Sequence, residues 1–390
     1  MGKTLVILGA GVAGLPIAHH VIKHTVPQVK DLKVILVTPN TDHYWSLASV
    51  RAVVPGQFDD SKVFEPIEPQ FAQYPKGSFE FVAGKAQTLD ADSNKVTVVT
   101  NDGVSRTIDY DALVIATGTR YKNDMPWKGM GTTEETKAKL AALRSQLSSA
   151  KSILVAGGGT SGIELVSEIA FEFGKKKDIT FVIDKPLPLD DQWRQDVRKN
   201  VTAEIEKLGA KVISSTRVTS AQPDPSAAGR QQLVLTDNNG KTSNLTVDAY
   251  LPTIGMIPNN EFVPAKLLDN NGLVFQDETL RVPGYKNLFV AGDIGNLDIS
   301  TGFKAELQLQ HLSKSLQKWF VNGSDTVLDK YVVDPKLVGA VTLGRSRGTG
   351  QFGTWKLFSF MVYYMKGKFM GTDYHKDFVA GKRTIQVKNW

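Results

Sequence analysis

The chain opens with an apolar run, Thr4–Leu8, that has the length and composition of a buried β-strand. A Gly-rich turn follows at once, and residues 15–24 then have a composition that is compatible with a helix. A second apolar run at residues 34–37 completes the pattern. Strand, turn, helix and strand in this order predict a β-α-β unit with two parallel strands.

The same order of elements occurs again later in the chain. Residues 153–156 form another apolar run, residues 163–173 are helix-compatible, and residues 180–183 predict the second strand of the unit. One Gly-rich turn is weak evidence, but two turns that are each framed by a strand and a helix strongly indicate two dinucleotide-binding domains. Both turns have the spacing G-x-G-x-x-G, with Gly9, Gly11 and Gly14 in the first and Gly157, Gly159 and Gly162 in the second.

The three glycines of each turn have different expected tasks. The first allows the tight turn, the second lets the backbone approach a pyrophosphate, and the third lets helix and strand pack closely. The helix that follows directs free N–H groups and the positive end of its dipole towards the phosphates. We therefore predict that each turn binds the pyrophosphate of a dinucleotide.

The residue that follows the second strand of each unit is expected to contact a ribose. In the second unit this residue is Asp184, whose carboxylate would bond the 2′-OH of NADH and repel the 2′-phosphate of NADPH. The neighbouring Lys185 weakens that discrimination. We therefore predict NADH as the preferred coenzyme, with NADPH as the alternative. In the first unit the position is Thr38, which is not acidic, so the ribose contact there is unassigned.

Two further segments complete a pattern that is typical of flavin binding. One apolar run leads into Ala116, Thr117 and Gly118, and another, near residue 290, leads into Gly292 and Asp293. An isolated Asp in such a place would more often cap a helix or a turn. After two dinucleotide fingerprints, we interpret Asp293 as an acceptor of hydrogen bonds from the ribityl hydroxyls of FAD.

The sequence contains no Cys. This excludes the Cys pair of a disulfide reductase, a persulfide-carrying Cys, Fe–S clusters and Cys-ligated zinc. The six His residues show no ligand spacing, so we predict no metal site. Redox chemistry must then belong to bound cofactors, for which we predict FAD and NADH.

Positive charge is concentrated towards the C-terminus. The whole chain carries +6, whereas residues 331–390 hold ten Lys or Arg against three Asp, a net of +7. Such asymmetry indicates an anionic partner, either a membrane surface or nucleic acid. Aromatic residues interleave with the basic ones, which favours the membrane. We predict an amphipathic, membrane-facing helix at residues 355–370; the alternative is a helix buried against the flavin domain.

In their order along the chain, these motifs resemble the flavoproteins with two dinucleotide domains. Among them, the chain is most similar to the apoptosis-inducing-factor-like, or ferroptosis suppressor, NAD(P)H:quinone oxidoreductases. The segments that narrow the resemblance are Ser49–Ala52, residues 157–164 and residues 343–351, and residues 38–45 resemble fungal members in particular. Val6 stands where a myristoylation signal requires Ser or Thr, which is a departure from the animal members.

The resemblance implies an α/β fold with an FAD domain at residues 1–122 and 251–330. An NAD(P)H domain would occupy residues 123–250, and a smaller α+β domain would begin at residue 331. The implied activity is transfer of hydride from NADH to flavin and onward to a quinone-type acceptor. Since the first Gly-rich turn begins at Gly9 and no run is long enough to span a bilayer, we expect a cytosolic protein with peripheral membrane contact.

Three further residues are candidates for the site. A helix that begins near Gly302 would direct positive charge at the reduced flavin, and Lys304 would add a cation there, unless it is a solvated Lys. A family member would use Glu164 to hold the nicotinamide carboxamide; the alternative is an ordinary surface Glu. The resemblance also implies Arg51 near the flavin.

Other acceptors and roles remain open at the level of the sequence. The chain could reduce an acidic iron–sulfur or rubredoxin-type protein, or a dedicated small molecule in a fungal biosynthetic step. A cell-death signalling flavoprotein that binds nucleic acid is a further alternative. These alternatives share the fold, because function depends on the site rather than on the scaffold.

Overall fold

The computed structural model describes residues 2–390, and its largest sheet has seven strands. The first five strands of this sheet run parallel and the last two are antiparallel. In spatial order the strands are Leu288–Val290, Ala112–Ile115, Thr4–Leu8, Lys33–Thr38, Phe79–Asp90, Lys95–Thr100 and Ser105–Asp109. The middle strand of the five parallel ones, Thr4–Leu8, is buried on both faces, which explains its unbroken apolar sequence.

Two helical segments cover one face of this sheet. The α-helix Gly14–His20 continues as a π-helical turn, Val21–Thr25, and the long helix Gly302–Asn322 packs against both. A second apolar cluster, which includes Phe262 and Leu267, covers the other face. The strand at the parallel edge of the sheet, Leu288–Val290, comes from a segment far along the chain.

The second unit has a four-stranded parallel sheet. Its strands, in spatial order, are Lys211–Ile213, Asp178–Val182, Ser152–Ala156 and Ala249–Pro252. The accompanying helices are Thr133–Ser149, Thr160–Phe173 and Gln195–Lys207. An antiparallel ribbon of Thr216–Pro223, Gln231–Asp237 and Thr242–Val247 completes the unit. The predicted fold class, with two dinucleotide-binding domains, is confirmed.

The chain passes between the two units through a pair of short strands. Thr119–Tyr121 leaves the first unit and Met256–Pro258 returns to it, and the two strands pair antiparallel. This crossing lies beside the expected domain boundaries at residues 122 and 251, which remain predictions. Shorter elements of the first unit include the strands Asp42–Tyr44 and Phe64–Pro66 and the helices Ser49–Ala52 and Asp60–Val63.

The C-terminal part is a small α+β unit. Its antiparallel strands are Val338–Leu343, Arg347–Phe352 and Trp355–Leu357, and its helices are Ser359–Val362, the π-helical Tyr363–Gly367 and His375–Val379. Across the described part of the chain, no helix is long and apolar enough to cross a membrane.

The prediction of a single helix at residues 355–370 is wrong. Phe352 pairs with Trp355, so the segment begins as the second arm of a hairpin, and helical structure covers only residues 359–367. Gly353 has a φ of 57°, a left-handed conformation that glycine adopts without strain and that closes this tight turn. Sequence periodicity alone does not reveal this turn.

Candidate functional site

A single large cleft connects the two Gly-rich turns. Its volume is about 1610 Å³, more than one drug-sized ligand requires and enough for two extended dinucleotides to meet. All three units contribute to its wall. The cleft is lined by Gly9, Gly11, Ala116, Thr117, Gly118, Gly157, Gly159, Asp184, Gly292 and Asp293 from the predicted set, and by Leu357, Met365 and Lys366 from the C-terminal unit.

The glycines of the first turn divide into packed and open positions. A Cβ on Gly14 would overlap the carbonyl oxygen of Gly9, and a Cβ on Gly9 would overlap the backbone at Ala116. At Gly11, in contrast, a Cβ would meet nothing within 4 Å. Gly9 has a φ of 101°, which an L side chain rarely adopts. The turn is therefore tight on the protein side and open towards the cleft, as a pyrophosphate requires.

The second turn repeats this arrangement. A Cβ on Gly162 would overlap the Gly157 carbonyl oxygen, whereas a Cβ on Gly159 would meet nothing within 4 Å. The helix Thr160–Phe173 begins directly after it, so its unpaired N–H groups face the same space. Both turns thus fit a dinucleotide by their shape as well as by their sequence.

The predicted flavin ligand Asp293 is held by a lysine. Lys128 Nζ lies 2.5 Å from Asp293 Oδ2, and it also donates to the hydroxyl of Thr119. Lys128 comes from the connection into the second unit and lines the cleft. Lys128 was missed at the level of the sequence because no motif in residues 123–131 marks it as a site residue.

The helix that was expected to direct positive charge into the cleft is present. Thr301 caps it by accepting a hydrogen bond from the Lys304 N–H at 3.2 Å, and Thr301 and Gly302 line the cleft. The Lys304 side chain, however, does not line the cleft. It is 4% exposed, donates to the carbonyl oxygen of Asp334 and lies 3.4 Å from Asp298. We therefore correct the expectation for Lys304, whose ammonium anchors the following segment instead.

Glu164 is buried and faces the C-terminal unit. Its Oε1 accepts hydrogen bonds from the Thr342 N–H at 2.8 Å and from Lys366 Nζ at 2.6 Å. Glu164 itself does not line the cleft, but Lys366 does. The ion pair thus fixes a cation in the cleft wall. The sequence contained only half of this signal, since Lys366 lies in the segment 355–370, for which a membrane-facing helix was predicted.

Arg51 also departs from its expected place. It is 3% exposed and does not line the cleft, and its Nη2 donates to Glu168 at 2.6 Å and to the Gly367 carbonyl oxygen at 2.8 Å. Glu168 belongs to the second unit and Gly367 to the C-terminal unit, so the guanidinium joins all three parts of the chain. A buried arginine with this set of partners is a structural bridge.

The segment 343–351, one of those that narrow the resemblance, lies at the contact between the second and C-terminal units. Arg345 donates to Glu168 at 3.1 Å and to Glu172 at 2.6 Å. Gln351 accepts a hydrogen bond from the Arg194 N–H at 2.7 Å. The family resemblance of this segment therefore reflects packing between units as much as chemistry in the cleft.

His43, which belongs to the segment 38–45 that resembles fungal members, lines the cleft and is buried against His375. The two ring nitrogens lie 2.9 Å apart. Burial, reinforced by the neighbouring His375, lowers the pKa of His43 well below its usual value. Among residues 2–390, no group of three or more His, Asp or Glu side chains is placed to hold a metal ion.

Comparison with known proteins identifies the family. Residues 3–315 match the pyridine nucleotide-disulphide oxidoreductases. This chain belongs to that family. Proteins of the family bind FAD and NAD(P)H, so the predicted cofactors are confirmed at that level. The absence of Cys means that this member cannot run the disulphide chemistry from which the family takes its name.

Named relatives cover nearly the whole chain. It is 34% identical to oxidoreductase ptaL of Pestalotiopsis fici, with 92% of this chain and 94% of the relative covered. It is 23% identical to ferroptosis suppressor protein 1 of Xenopus laevis, with 90% and 89% covered. The sulfide:quinone oxidoreductase of Aquifex aeolicus has the same fold, with a TM-score of 0.78 at 19% identity over 97% and 92% of the two chains. The chain is thus a flavin-dependent NAD(P)H oxidoreductase by family.

Proposed function

We propose that this chain oxidises NADH or NADPH and reduces a quinone-type acceptor at a membrane surface. The observation that carries the proposal is the mouth of the cleft, where Leu357 and Met365 line the wall and continue into exposed aromatic residues of the C-terminal unit. An apolar mouth of this kind suits a hydrophobic ring acceptor better than a charged protein partner. The name of one structural relative, a sulfide:quinone oxidoreductase, is consistent with it.

The residues of the cleft have separate tasks in this proposal. When FAD is bound, it supplies the two-electron chemistry that links nicotinamide oxidation to acceptor reduction. Gly11 and Gly159 leave room for the two pyrophosphates, and Asp293 accepts hydrogen bonds from ribityl hydroxyls. The N-terminus of the helix Gly302–Asn322 presents positive charge to the cleft. Lys366, held by Glu164, adds a fixed cation beside the apolar mouth, where it favours negative charge developing on an acceptor oxygen.

The membrane contact rests on a set of exposed apolar side chains that we name the apolar face. Each is more than 60% exposed, although side chains of this kind are usually buried. The net charge of +7 on residues 331–390 complements an anionic bilayer, and Met365 belongs both to this face and to the cleft. Nucleic acid, in contrast, would call for a basic groove without this aromatic surface. The apolar face consists of Trp355, Phe358, Phe360, Tyr364 and Met365.

The acceptor assay tests the central proposal. Purified protein should be yellow and should oxidise NADH or NADPH faster with a short-chain ubiquinone or with menadione than with oxygen alone. Ferricyanide, which accepts electrons without a fitted site, serves as the reference acceptor. A rate with ferricyanide but none above background with any quinone would contradict the quinone proposal and favour another small-molecule acceptor.

Vesicle sedimentation tests the apolar face. The protein should sediment with phosphatidylserine-containing vesicles and less with pure phosphatidylcholine vesicles. High salt should reduce sedimentation with the phosphatidylserine vesicles, because it screens the attraction between the basic residues and the anionic lipid. Phe358→Asp together with Phe360→Asp should abolish sedimentation. Val327→Asp with Val332→Asp, two sites that are 83% and 80% exposed, is the matched control and should sediment normally. Equal sedimentation of both double variants, with flavin content retained, would contradict membrane docking through this face.

A further inference from the structure

The coenzyme end of the cleft contains a second charged residue that the sequence does not bring beside Asp184. Arg217 Nη2 lies 3.6 Å from Asp184 Oδ2, and both residues line the cleft. Backbone hydrogen bonds bring the Arg217 segment beside the Asp184 segment. The Ser215 N–H donates to the Lys185 carbonyl oxygen at 3.1 Å, and the Thr216 N–H donates to the Ile183 carbonyl oxygen at 2.9 Å. Arg217 is therefore held opposite Asp184 by the fold.

The Asp184–Arg217 pair is weak. The Asp184 side chain is 47% exposed and that of Arg217 is 70% exposed, and ion pairs between such exposed groups contribute little to stability. Arg217 can therefore leave Asp184 for a stronger anion with little loss. Lys185 also lines the cleft, and within residues 2–390 it forms no ion pair. Two cations thus face one carboxylate where the ribose of a coenzyme would lie.

We propose that Arg217, with Lys185, forms a binding site for the 2′-phosphate of NADPH, and that Arg217 sets the ratio of NADPH to NADH use. The inference rests on the proposed function only in requiring a nicotinamide coenzyme. A 2′-phosphate carries close to two negative charges and accepts bidentate hydrogen bonds from a guanidinium, so it competes with the Asp184 carboxylate for Arg217. With NADH, the same carboxylate accepts a hydrogen bond from the 2′-OH.

This assignment changes the expectation drawn from Asp184 alone. An acid after the strand Asp178–Val182 predicts rejection of NADPH, because its charge repels the phosphate. Here Arg217 offsets the charge of Asp184, and Lys185 leaves the three side chains with a net positive charge. The chain should therefore accept both coenzymes.

Equilibrium binding of coenzyme fragments tests the site without any acceptor. Isothermal titration should detect adenosine 2′,5′-bisphosphate as well as adenosine 5′-monophosphate. Arg217→Ala should weaken binding of the bisphosphate by about tenfold or more, the range of a lost hydrogen bond to a charged group, and should change binding of the monophosphate by less than about twofold. Arg217→Lys should lie between, since it keeps the charge but not the bidentate geometry.

Kinetics with ferricyanide give an independent measurement. The ratio of kcat/KM for NADPH to that for NADH should fall about tenfold in Arg217→Ala and rise in Asp184→Ala. Lys211→Ala, which removes an exposed lysine of the same unit that does not line the cleft, is the matched control and should leave the ratio unchanged.

The possible failures are distinguishable. If the wild-type protein binds both fragments but Arg217→Ala leaves their ratio unchanged, the 2′-phosphate site is wrong and the proposed function stands. If the wild-type protein binds only the monophosphate, Asp184 dominates and the inference is likewise overturned. If it binds neither fragment and oxidises neither coenzyme, the proposed function fails and this inference fails with it.

Discussion

The C-terminal segment packs against the helix that follows the first Gly-rich turn. His19 Nε2 lies 2.9 Å from the Val379 carbonyl oxygen, and the Trp390 indole donates to the Pro16 carbonyl oxygen at 2.9 Å. Around the second turn, Asp184 stands at the surface, with its side chain 47% exposed. The two turns have the same backbone design, so the difference lies in what the rest of the chain places beside them. Packing of the C-terminal segment beside the first turn suits a cofactor that stays bound, and the exposed Asp184 beside the second suits a coenzyme that exchanges.

The extent of burial at the two strand ends supports the same distinction. Thr38, which follows the first Gly-rich turn at the end of the neighbouring strand, is 4% exposed and makes no ion pair. Asp184 and Arg217, at the corresponding place in the second unit, both face solvent. Discrimination between coenzymes by charge is therefore possible at Asp184 and Arg217 in the second unit, whereas Thr38 offers no charge in the first.

The largest expected effect comes from filling the open glycine of each turn. Gly11→Leu should give a folded protein that has lost most of its FAD, because the side chain would occupy the space of the pyrophosphate. Gly159→Leu should remain yellow, while KM for NADH rises by on the order of tenfold or more. Absorbance of the purified proteins and steady-state kinetics check the pair. Loss of flavin from Gly159→Leu rather than from Gly11→Leu would reverse the assignment of the two turns.

A smaller effect is expected at the ion pair that links the second unit to the C-terminal unit. Lys366→Met should lower the quinone-dependent kcat by on the order of tenfold to a hundredfold, since a fixed cation is lost, and should lower the ferricyanide rate much less. Glu164→Gln should have a weaker effect, because the lysine keeps its charge but loses its position.

The control for this pair is Lys356→Met, which removes an exposed lysine that lies 3.6 Å from Asp196. Glu164→Asp should recover part of the loss if Glu164 acts by positioning Lys366. Equal losses with quinone and ferricyanide in Lys366→Met would indicate a structural role for the pair.

The smallest effect concerns the contact between the C-terminal segment and the first unit, which contains buried histidines. Burial lowers the pKa of His375 to about 4 and that of His19 to about 3. Since both values lie below the value of 6.5 expected in the unfolded chain, the unfolded state binds more protons as the pH falls. The stabilisation is therefore complete above pH 6.5 and is lost progressively below it. Each pH unit below 6.5 should remove roughly 1.4 kcal/mol per histidine until its folded-state pKa is reached.

Thermal unfolding measured between pH 7 and pH 5 checks this dependence. Tm should fall by several degrees, because both histidines are buried where the C-terminal segment packs against the first unit. His375→Asn should flatten the dependence. His311→Asn, which removes a histidine near the surface that bonds Asp329, should not. An unchanged slope in His375→Asn would show that other groups control the acid sensitivity.

The sequence by itself determined the two dinucleotide units. A Gly-rich turn between a strand and a helix is specified within a short stretch, because each glycine is required by a local backbone conformation or a close contact. The order of the motifs, the absence of Cys and the concentration of positive charge near the C-terminus likewise follow from the chain alone. These features lead directly to a flavin-dependent NAD(P)H oxidoreductase.

Only the tertiary structure decided which charged side chains reach the cleft. Lys304 lies at the N-terminus of the expected helix, yet its side chain turns to Asp334 and Asp298. Lys366 reaches the cleft instead, because Glu164, 202 residues away, holds it. Such pairs depend on how separate units pack, because a charged side chain that is removed from water requires a partner of opposite charge. Helical periodicity describes one element at a time, so it cannot show the contact between Glu164 and Lys366, which lie on different elements.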